Sequence, residues 1–264
     1  MTAGLFTPED RDRARDLVLG LAAEDPRIVA GAVIGSLALE EGDRWSDLDL
    51  TFAVSDGESI PAVLADWTRR LAETLGAVHL FDLPSGSSIY RVFLLPGSLQ
   101  FDLSFTPAAD FGARGPKFRL LFGTAVERPF PSPPAAAELF GLAAHHVLRA
   151  RFCLERGKVW QAEYWIHEAR DLALSLACLR RGLPASHGRG LDALPNEARA
   201  AFQPTLARSL EGTELLRALG VVIERLLAEA GEARATADRI EPDLRRLAAP
   251  WPAGPSHDRG GHSA

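Results

Sequence analysis

The residues most able to do chemistry begin with an Asp-x-Asp pair, Asp47 and Asp49, in the segment SDLDLTFAV. This segment alternates polar and apolar residues, which predicts a half-buried strand with both aspartates on one face. Two carboxylates held side by side repel each other and raise each other's pKa unless a cation lies between them. Because their ligand atoms are all oxygens, the pair favours a hard ion such as Mg²⁺.

A third aspartate lies in a second alternating segment, SLQFDLSFT. Its strand pattern places Gln100, Asp102 and Ser104 on one face and the apolar residues on the other. If this strand lies beside the first, with both apolar faces in one core, the three carboxylates converge. We therefore predict Asp47, Asp49 and Asp102 as ligands of two Mg²⁺ ions. Such a pair of ions clamps the attacking and leaving oxygens of an in-line phosphoryl displacement.

A Gly-Ser pair, Gly35 and Ser36, precedes the aspartates by about a dozen residues. Glycine allows the backbone to approach a ligand closely, and a turn that opens into a helix presents free N–H groups to phosphate oxygens. The Ser36 hydroxyl adds a donor. Neither a Gly-Lys-Ser/Thr nor a Gly-x-Gly-x-x-Gly motif is present, which excludes a Walker loop and a dinucleotide fingerprint. The sequence therefore predicts a phosphate site that depends on metal ions.

Three more residues are predicted to bind the nucleotide, each with a plainer alternative. Arg44 precedes the aspartates, where it would pair with a β- or γ-phosphate or simply face solvent. Ser46 is expected to act mainly by hydrogen bonding to the local backbone and so directing the strand. Lys117, together with Gly115 and Arg119, would contact a phosphate or belong to a solvated turn.

The elements that must position these residues indicate a mixed α/β unit over residues 1–127. A helix is predicted over residues 8–23, with Thr7 as N-cap and Pro8 in its first turn, and another over 59–75 that stops at Gly76. Strands are predicted at RIVAGAVI, SDLDLTFAV, AVHLFDL, SIYRVFLL and SLQFDLSFT. We expect a small mixed sheet with flanking helices.

Residues 134–249 are helical in pattern, after a linker with four prolines, RPFPSPPAA. Leu215, Leu219, Val222 and Leu226 recur at helical spacing and predict one buried stripe among several. The predicted fold class is α+β: a small mixed-sheet domain over 1–127, then an all-α bundle of four or five helices over 134–249. A disordered tail is expected over 250–264.

Composition restricts the partners. The chain has 264 residues, is 47% hydrophobic and 24% charged, and carries a net charge of -6, so no basic field exists for a long nucleic acid. The N-terminus is charged where a signal peptide would be apolar, and every apolar run is too short to cross a bilayer. We expect a cytoplasmic protein without a membrane partner. Cys153 and Cys178 lack metal or redox spacing, which indicates reduced core thiols.

The Gly-Ser pair at 35–36, the spacer, the Ser-Asp-Leu-Asp segment at 46–49 and the later Asp102 together resemble the signature of the DNA polymerase β nucleotidyltransferase superfamily. The resemblance covers about the first 125 residues. It is closest to the small bacterial branch, with the kanamycin, streptomycin and lincosamide nucleotidyltransferases and the minimal nucleotidyltransferases. It implies that the Gly-Ser turn holds a nucleoside triphosphate and that the three aspartates bind Mg²⁺. The helical half matches the antibiotic-modifying members only in layout.

The resemblance also implies an activity: transfer of a nucleoside monophosphate, expected to be AMP from ATP, to a hydroxyl of a small acceptor bound between the two domains. The negative net charge favours a cationic acceptor such as an aminoglycoside, which would connect the protein with antibiotic resistance. Antibiotic-modifying members use a carboxylate of the helical domain as general base. Glu163, in KVWQAEYWIHEARDLAL, is the candidate here, with a solvated helix face as the alternative. Otherwise Asp102 would accept the proton, or a hydroxyl activated by the metal would need no dedicated base.

Two further function classes stay open. An antitoxin-type minimal nucleotidyltransferase would modify a protein partner and would need an apolar surface facing it. A non-catalytic nucleotide-binding module would keep the fold but would not need all three aspartates. The sequence leaves the oligomeric state open.

Overall fold

The computed structural model describes residues 4–130 and 132–250, and the chain divides into two compact units at residue 131. The predicted tail lies outside the described residues apart from Pro250. The first unit contains α1 (Pro8–Glu24), β1 (Ile28–Ile34), β2 (Leu48–Val54), α2 (Ile60–Leu75), β3 (Val78–Ser85), β4 (Ser88–Leu95), β5 (Leu99–Pro107) and β6 (Phe118–Phe122). The second contains α3 (Ala136–Glu155), α4 (Val159–Leu179), α5 (Asn196–Phe202), α6 (Gly212–Ala228) and α7 (Arg234–Leu247).

The six strands of the first unit form one mixed sheet in the order β3-β4-β5-β2-β1-β6. Strands β2 and β5 are parallel, and every other neighbouring pair is antiparallel. The predicted strands all form. Strand β6 was not predicted: residues 118–122, including Arg119, pair with β1, while Gly115 and Lys117 lie in the segment that precedes the strand. Its short FRLLF sequence, next to the glycines and proline of GARGP, gave too few residues for an alternating pattern to be recognised.

The core of the first unit lies on one face of the sheet. Leu48, Leu50 and Phe52 of β2 are fully buried, as are Phe101 and Phe105 of β5. They pack with the apolar face of α2, whose Trp67 ring lies 5.4 Å from Phe52 and 5.5 Å from Phe105 between ring centroids. Because side chains alternate along a strand, this packing turns Asp49 and Asp102 to the opposite face.

Helix α1 begins as predicted, with a complete capping box between Thr7 and Asp10. Its buried residues follow helical spacing, at Arg11, Ala14, Val18 and Ala22. The first position of this buried stripe is therefore an arginine.

The second unit is an all-α bundle of five helices in the described residues. Leu215, Leu219, Val222 and Leu226 are fully buried, so the predicted stripe of α6 is confirmed. Cys153 and Cys178 are free and buried, as expected of core thiols. Together the mixed sheet and the helical bundle confirm the predicted α+β class. None of the helices in the described part of the chain is both long and apolar enough to span a bilayer.

Candidate metal centre

The three predicted aspartates come together at one face of the sheet. Asp49 of β2 and Asp102 of β5 are direct partners in the parallel register. One carboxylate oxygen from each of Asp47, Asp49 and Asp102 lies within 4.8 Å of those of the other two. Strand β2 begins at Leu48, so Asp47 precedes the strand instead of lying within it, which corrects the sequence prediction. The loop that holds Asp47 nevertheless brings it to the same point.

Electrostatics at this cluster disfavour the charged form of Asp102. Burial is the main cause that raises the pKa of Asp102 above its ordinary value, and the negative charge of Asp47 raises it further. The amide of Gln100 donates a hydrogen bond to Asp102 at 3.0 Å, which opposes the shift. In the described residues no lysine or arginine forms an ion pair with Asp47 or Asp102. A bound cation would supply the missing positive charge.

The donor set fits a hard divalent cation. All three ligands are carboxylates, the oxygen donors that Mg²⁺ uses in proteins, and all three are partly accessible to solvent. They are carried by two adjacent strands and the loop before one of them, so backbone pairing holds them in place. The cluster can therefore hold a cation without a large rearrangement of the sheet.

Gly35 lies directly against this cluster. Its φ of +74° belongs to the left-handed region, and an added Cβ atom would collide with Oδ2 of Asp49. Only glycine satisfies both conditions at this position. The side chain of any larger residue at position 35 would occupy the space beside the Asp49 carboxylate.

The Gly-Ser bend differs from its prediction in two respects. The N–H of Gly35 is not free for a phosphate, because it donates to the carbonyl of Lys117 at 3.2 Å. The residues that follow, Gly35–Leu39, form a 3-10 turn and not the start of an α-helix. The hydroxyl of Ser36 makes no hydrogen bond within the described chain, so it remains available.

Ser46 and a buried arginine hold the loop that leads to the aspartates. The Ser46 hydroxyl accepts a hydrogen bond from the N–H of Asp43 at 2.9 Å, which confirms a local backbone role. Nη1 of Arg11 donates to the carbonyls of Asp43 and Ser46 at 2.8 and 2.9 Å. Arg11 was not predicted from the sequence. The signal was its place in the apolar stripe of α1, where a charged residue needs a specific partner.

Arg44 and Lys117 have partners other than the three aspartates. The guanidinium of Arg44 stacks over the rings of Trp45 and Phe6, at 4.4 and 5.3 Å from the ring centroids. Its Nη1 atom is buried and has no hydrogen-bond partner among the described residues. The ammonium of Lys117 pairs with Glu41 at 3.0 Å. Among the described residues neither side chain forms an ion pair with Asp47 or Asp102, and contact of Arg44 and Lys117 with a phosphate stays a prediction.

Glu163 belongs to the second unit, on α4, where it is half-buried. It forms no ion pair or hydrogen bond with any described residue. On the same helix, His167 contacts both Arg170 and Asp171. Trp160 and Tyr164 are exposed. Glu163 is thus a carboxylate without a partner among the described residues, and its role as a base stays a prediction.

Fifteen chains of solved structures match this chain, and two nucleotidyltransferases are among them, both at low sequence identity. An aminoglycoside 6-adenyltransferase from Bacillus subtilis is 15% identical over 91% of this chain and 99% of its own, with a TM-score of 0.39. The CD-NTase CdnG from Bradyrhizobium diazoefficiens, in complex with GTP, is 11% identical over 93% of each chain, with a TM-score of 0.31. No family model and no curated protein sequence matches the chain.

Proposed function

We propose that this protein is a metal-dependent nucleotidyltransferase. It moves a nucleoside monophosphate, AMP from ATP as the expected case, to a hydroxyl of a small acceptor and releases pyrophosphate. One observation carries the proposal: Asp49 and Asp102 face each other in the sheet, Asp47 joins them, and a glycine bend packs against Asp49. This combination provides a cation site with an open backbone bend beside it.

Asp47, Asp49 and Asp102 would hold the divalent cations, proposed to be two Mg²⁺ ions. When bound, such ions neutralise charge on the phosphates and align the attacking and leaving oxygens. The protein's own contribution is positioning. Adjacent strands fix two of the carboxylates, and the loop held by Arg11 fixes the third.

The reaction requires groups on both sides of the α-phosphorus, one for the acceptor and one for the leaving pyrophosphate. The acceptor oxygen forms a bond to the α-phosphorus while the bond from that phosphorus to the bridging oxygen of pyrophosphate breaks. Ser36, next to the bend, is proposed to donate its hydroxyl to the triphosphate, with Arg44 and Lys117 as further candidate contacts. The acceptor proton would pass to a carboxylate, either Glu163 or Asp102.

The convergence of all three carboxylates favours an enzyme over a non-catalytic nucleotide-binding module. A module that only binds nucleotide has no need for a third acid on a separate strand, and burial of Asp102 near Asp47 has an electrostatic cost. We expect a partly buried carboxylate such as Asp102 at a position where it binds a cation.

The test is nucleotide transfer itself. The full chain is incubated with Mg²⁺, each of the four labelled nucleoside triphosphates and a panel of hydroxylated compounds, and products are examined for a mass gain of one nucleotide. The proposal predicts transfer and pyrophosphate release by the natural chain and none by Asp49→Asn. Equal pyrophosphate release by Asp49→Asn and the natural chain would rule out the assigned site.

A further inference from the structure

The sheet face that carries the aspartates continues beyond them as an apolar surface. Cross-strand partners project to the same side, so the register can be followed from strand to strand. Asp49 pairs with Asp102, Asp102 with Val92, and Val92 with Phe81. One row therefore crosses four strands, with its acidic half on β2 and β5 and its apolar half on β4 and β3.

The two neighbouring rows also run from a polar residue on β5 to larger, mostly apolar residues on β4 and β3. Ser104 of β5 pairs with Tyr90 and then Leu83, and Gln100 pairs with Leu94 and then Val78. We call this surface the β3–β4 face; it consists of Val78, Phe81, Leu83, Tyr90, Val92 and Leu94. Val78, Leu83, Phe81 and Leu94 expose 58%, 54%, 48% and 40% of their surface. Tyr90 is half-buried and Val92 is buried, so the exposed part of the face is formed by the other four residues. Exposed apolar patches of sufficient size mark binding sites on protein surfaces.

The geometry of phosphoryl transfer indicates what the β3–β4 face contacts. Attacking and leaving oxygens lie roughly in line on opposite sides of the phosphorus. The Gly35 bend lies on the β1 side of Asp49, so the proposed contact of Ser36 with the triphosphate would put the leaving pyrophosphate on that side. The attacking hydroxyl then approaches from the other side of the cluster, over β5. Behind that hydroxyl, the rest of the acceptor would lie on β4 and β3.

We propose that the acceptor is a hydroxylated molecule with an apolar portion, and that this portion binds the β3–β4 face. The inference rests on the proposed function and specifies its substrate class. Phe81 lies two strand spacings from Asp102, about 10 Å, a distance that a medium-length alkyl chain or two fused rings spans.

This substrate class differs from the polycationic acceptor that the net charge favoured. A polyamine-like molecule needs carboxylates along its length, and the β3–β4 face has none. The nearest acid of β3, Asp82, pairs with Arg91 at 2.6 Å, and this pair lies on the other side of the sheet, where Arg91 also contacts Thr68 of α2. The face therefore matches an apolar ligand and not a cationic one.

A protein partner that adds a strand to β3 fits the geometry less well. Such a strand would lie three spacings from β5, about 14 Å from Asp102, too far for a serine or tyrosine side chain to reach the cluster. In addition, the pairing of β3 with β4 is irregular between His79 and Phe81, a feature that disfavours regular pairing at an edge. The occupant is expected to lie on the face of the sheet.

Two matched sugars test the inference. Methyl β-glucoside and octyl β-glucoside, the latter used as a monomer, share their hydroxyls and differ only in the apolar tail. Binding of each to the full chain is measured by calorimetry without nucleotide, and transfer from Mg²⁺-ATP is measured by mass. The variants are Phe81→Asp and Leu83→Asp, with Leu120→Asp as control, because Leu120 is 40% exposed on β6 at the opposite edge of the sheet.

We expect the natural chain to bind octyl glucoside at least tenfold more tightly than methyl glucoside. Each β3 variant should reduce that preference about tenfold, the effect of exposing one large apolar contact, while Leu120→Asp leaves it unchanged. Binding of Mg²⁺-ATP should be equal in all four proteins. Failure of the proposed function would appear separately, as an absence of Mg²⁺-ATP binding in the natural chain.

Three results would overturn the inference. One is equal affinity of the natural chain for the two glucosides. Another is weaker Mg²⁺-ATP binding in Phe81→Asp with unchanged glucoside binding, which would assign the face to the nucleobase. The third is concentration-dependent dimerisation that is lost in the β3 variants, which would assign the surface to a second copy of the chain.

Discussion

Asp49 and Asp102 are opposite one another across the parallel pairing of β2 and β5. The next pair on the same face, Thr51 and Ser104, forms a buried hydrogen bond at 2.8 Å between its hydroxyls. A shift of one residue in either strand would separate the carboxylates and turn one strand's polar face into the core. The register that builds the core therefore also builds the candidate metal centre.

Gly35→Ala should abolish cation binding at the cluster while leaving the protein folded. The new Cβ would displace the Asp49 carboxylate and would also strain the backbone at positive φ, at a cost of about 1–2 kcal/mol. Binding of Mn²⁺, followed by electron paramagnetic resonance, measures the effect. Gly57→Ala is the matched control, since Gly57 has φ +87° but open space around it. Equal loss of Mn²⁺ binding in both variants would show that strain alone is responsible.

Arg11→Met should destabilise the loop before Asp47. The substitution keeps the apolar stem of the side chain but removes two hydrogen bonds to the carbonyls of Asp43 and Ser46, so we expect a loss of about 2–3 kcal/mol in the free energy of unfolding. Urea denaturation measures it, and Mn²⁺ binding should weaken as well. The control is Arg13→Met on the exposed side of the same helix. An unchanged Mn²⁺ affinity would contradict a positioning role for Arg11.

Asp25 provides a pH-dependent contribution to stability. Hydrogen bonds from Arg27, with a further one from the indole of Trp67, lower the pKa of this buried carboxyl from 3.8 to about 2. Because the folded-state pKa is lowered, the stabilisation is complete above the unfolded value and is lost as the pH falls through the folded value.

Asp25→Asn should therefore cost about 2 kcal/mol of unfolding free energy at pH 7. The difference from the natural chain should shrink as the pH is lowered from about 4 towards 2, as measured by urea unfolding at each pH. Asp66→Asn, which removes a more exposed partner of Arg27, is the control and should show a smaller effect. A difference that does not change with pH would mean that the charge of Asp25 is not what stabilises the fold.

Glu163→Gln separates the two candidate bases. If Glu163 accepts the acceptor proton, the substitution should lower kcat at least a hundredfold and leave binding of Mg²⁺-ATP unchanged. Glu168→Gln, on the same helix, should leave both quantities unchanged. A normal kcat in Glu163→Gln would leave Asp102 as the candidate base.

Much of the sheet and the identity of the acidic cluster could be predicted because strand alternation is a local property. The polar residues of SDLDLTFAV and SLQFDLSFT indicate which side chains share a face, and a common core then requires the two strands to be neighbours. Gly35 could be identified from its spacing to Asp49. The left-handed φ of Gly35 and its close approach to Asp49 are seen only in the structure.

The missed features depend on contacts between distant parts of the chain. Lys117 lies beside the Gly35 bend only because β6 pairs with β1, and five residues of β6 are too few to predict that pairing. Arg44 stacks on Phe6, 38 positions earlier, so its sequence context could not reveal that its guanidinium is already engaged. The apolar β3–β4 face likewise follows from the order of strands, which no single segment determines.

The central claim is that three carboxylates act together on a divalent cation. Titration of the natural chain with Mn²⁺, followed by electron paramagnetic resonance, tests it most directly when repeated with Asp49→Asn, Asp102→Asn and the control Asp82→Asn, whose carboxylate pairs with Arg91 elsewhere in the sheet. We expect binding in the natural chain and the control, competition by Mg²⁺, and at least a tenfold loss of affinity in each cluster variant, with all four proteins folded. Equal Mn²⁺ affinity in all four proteins would contradict the account.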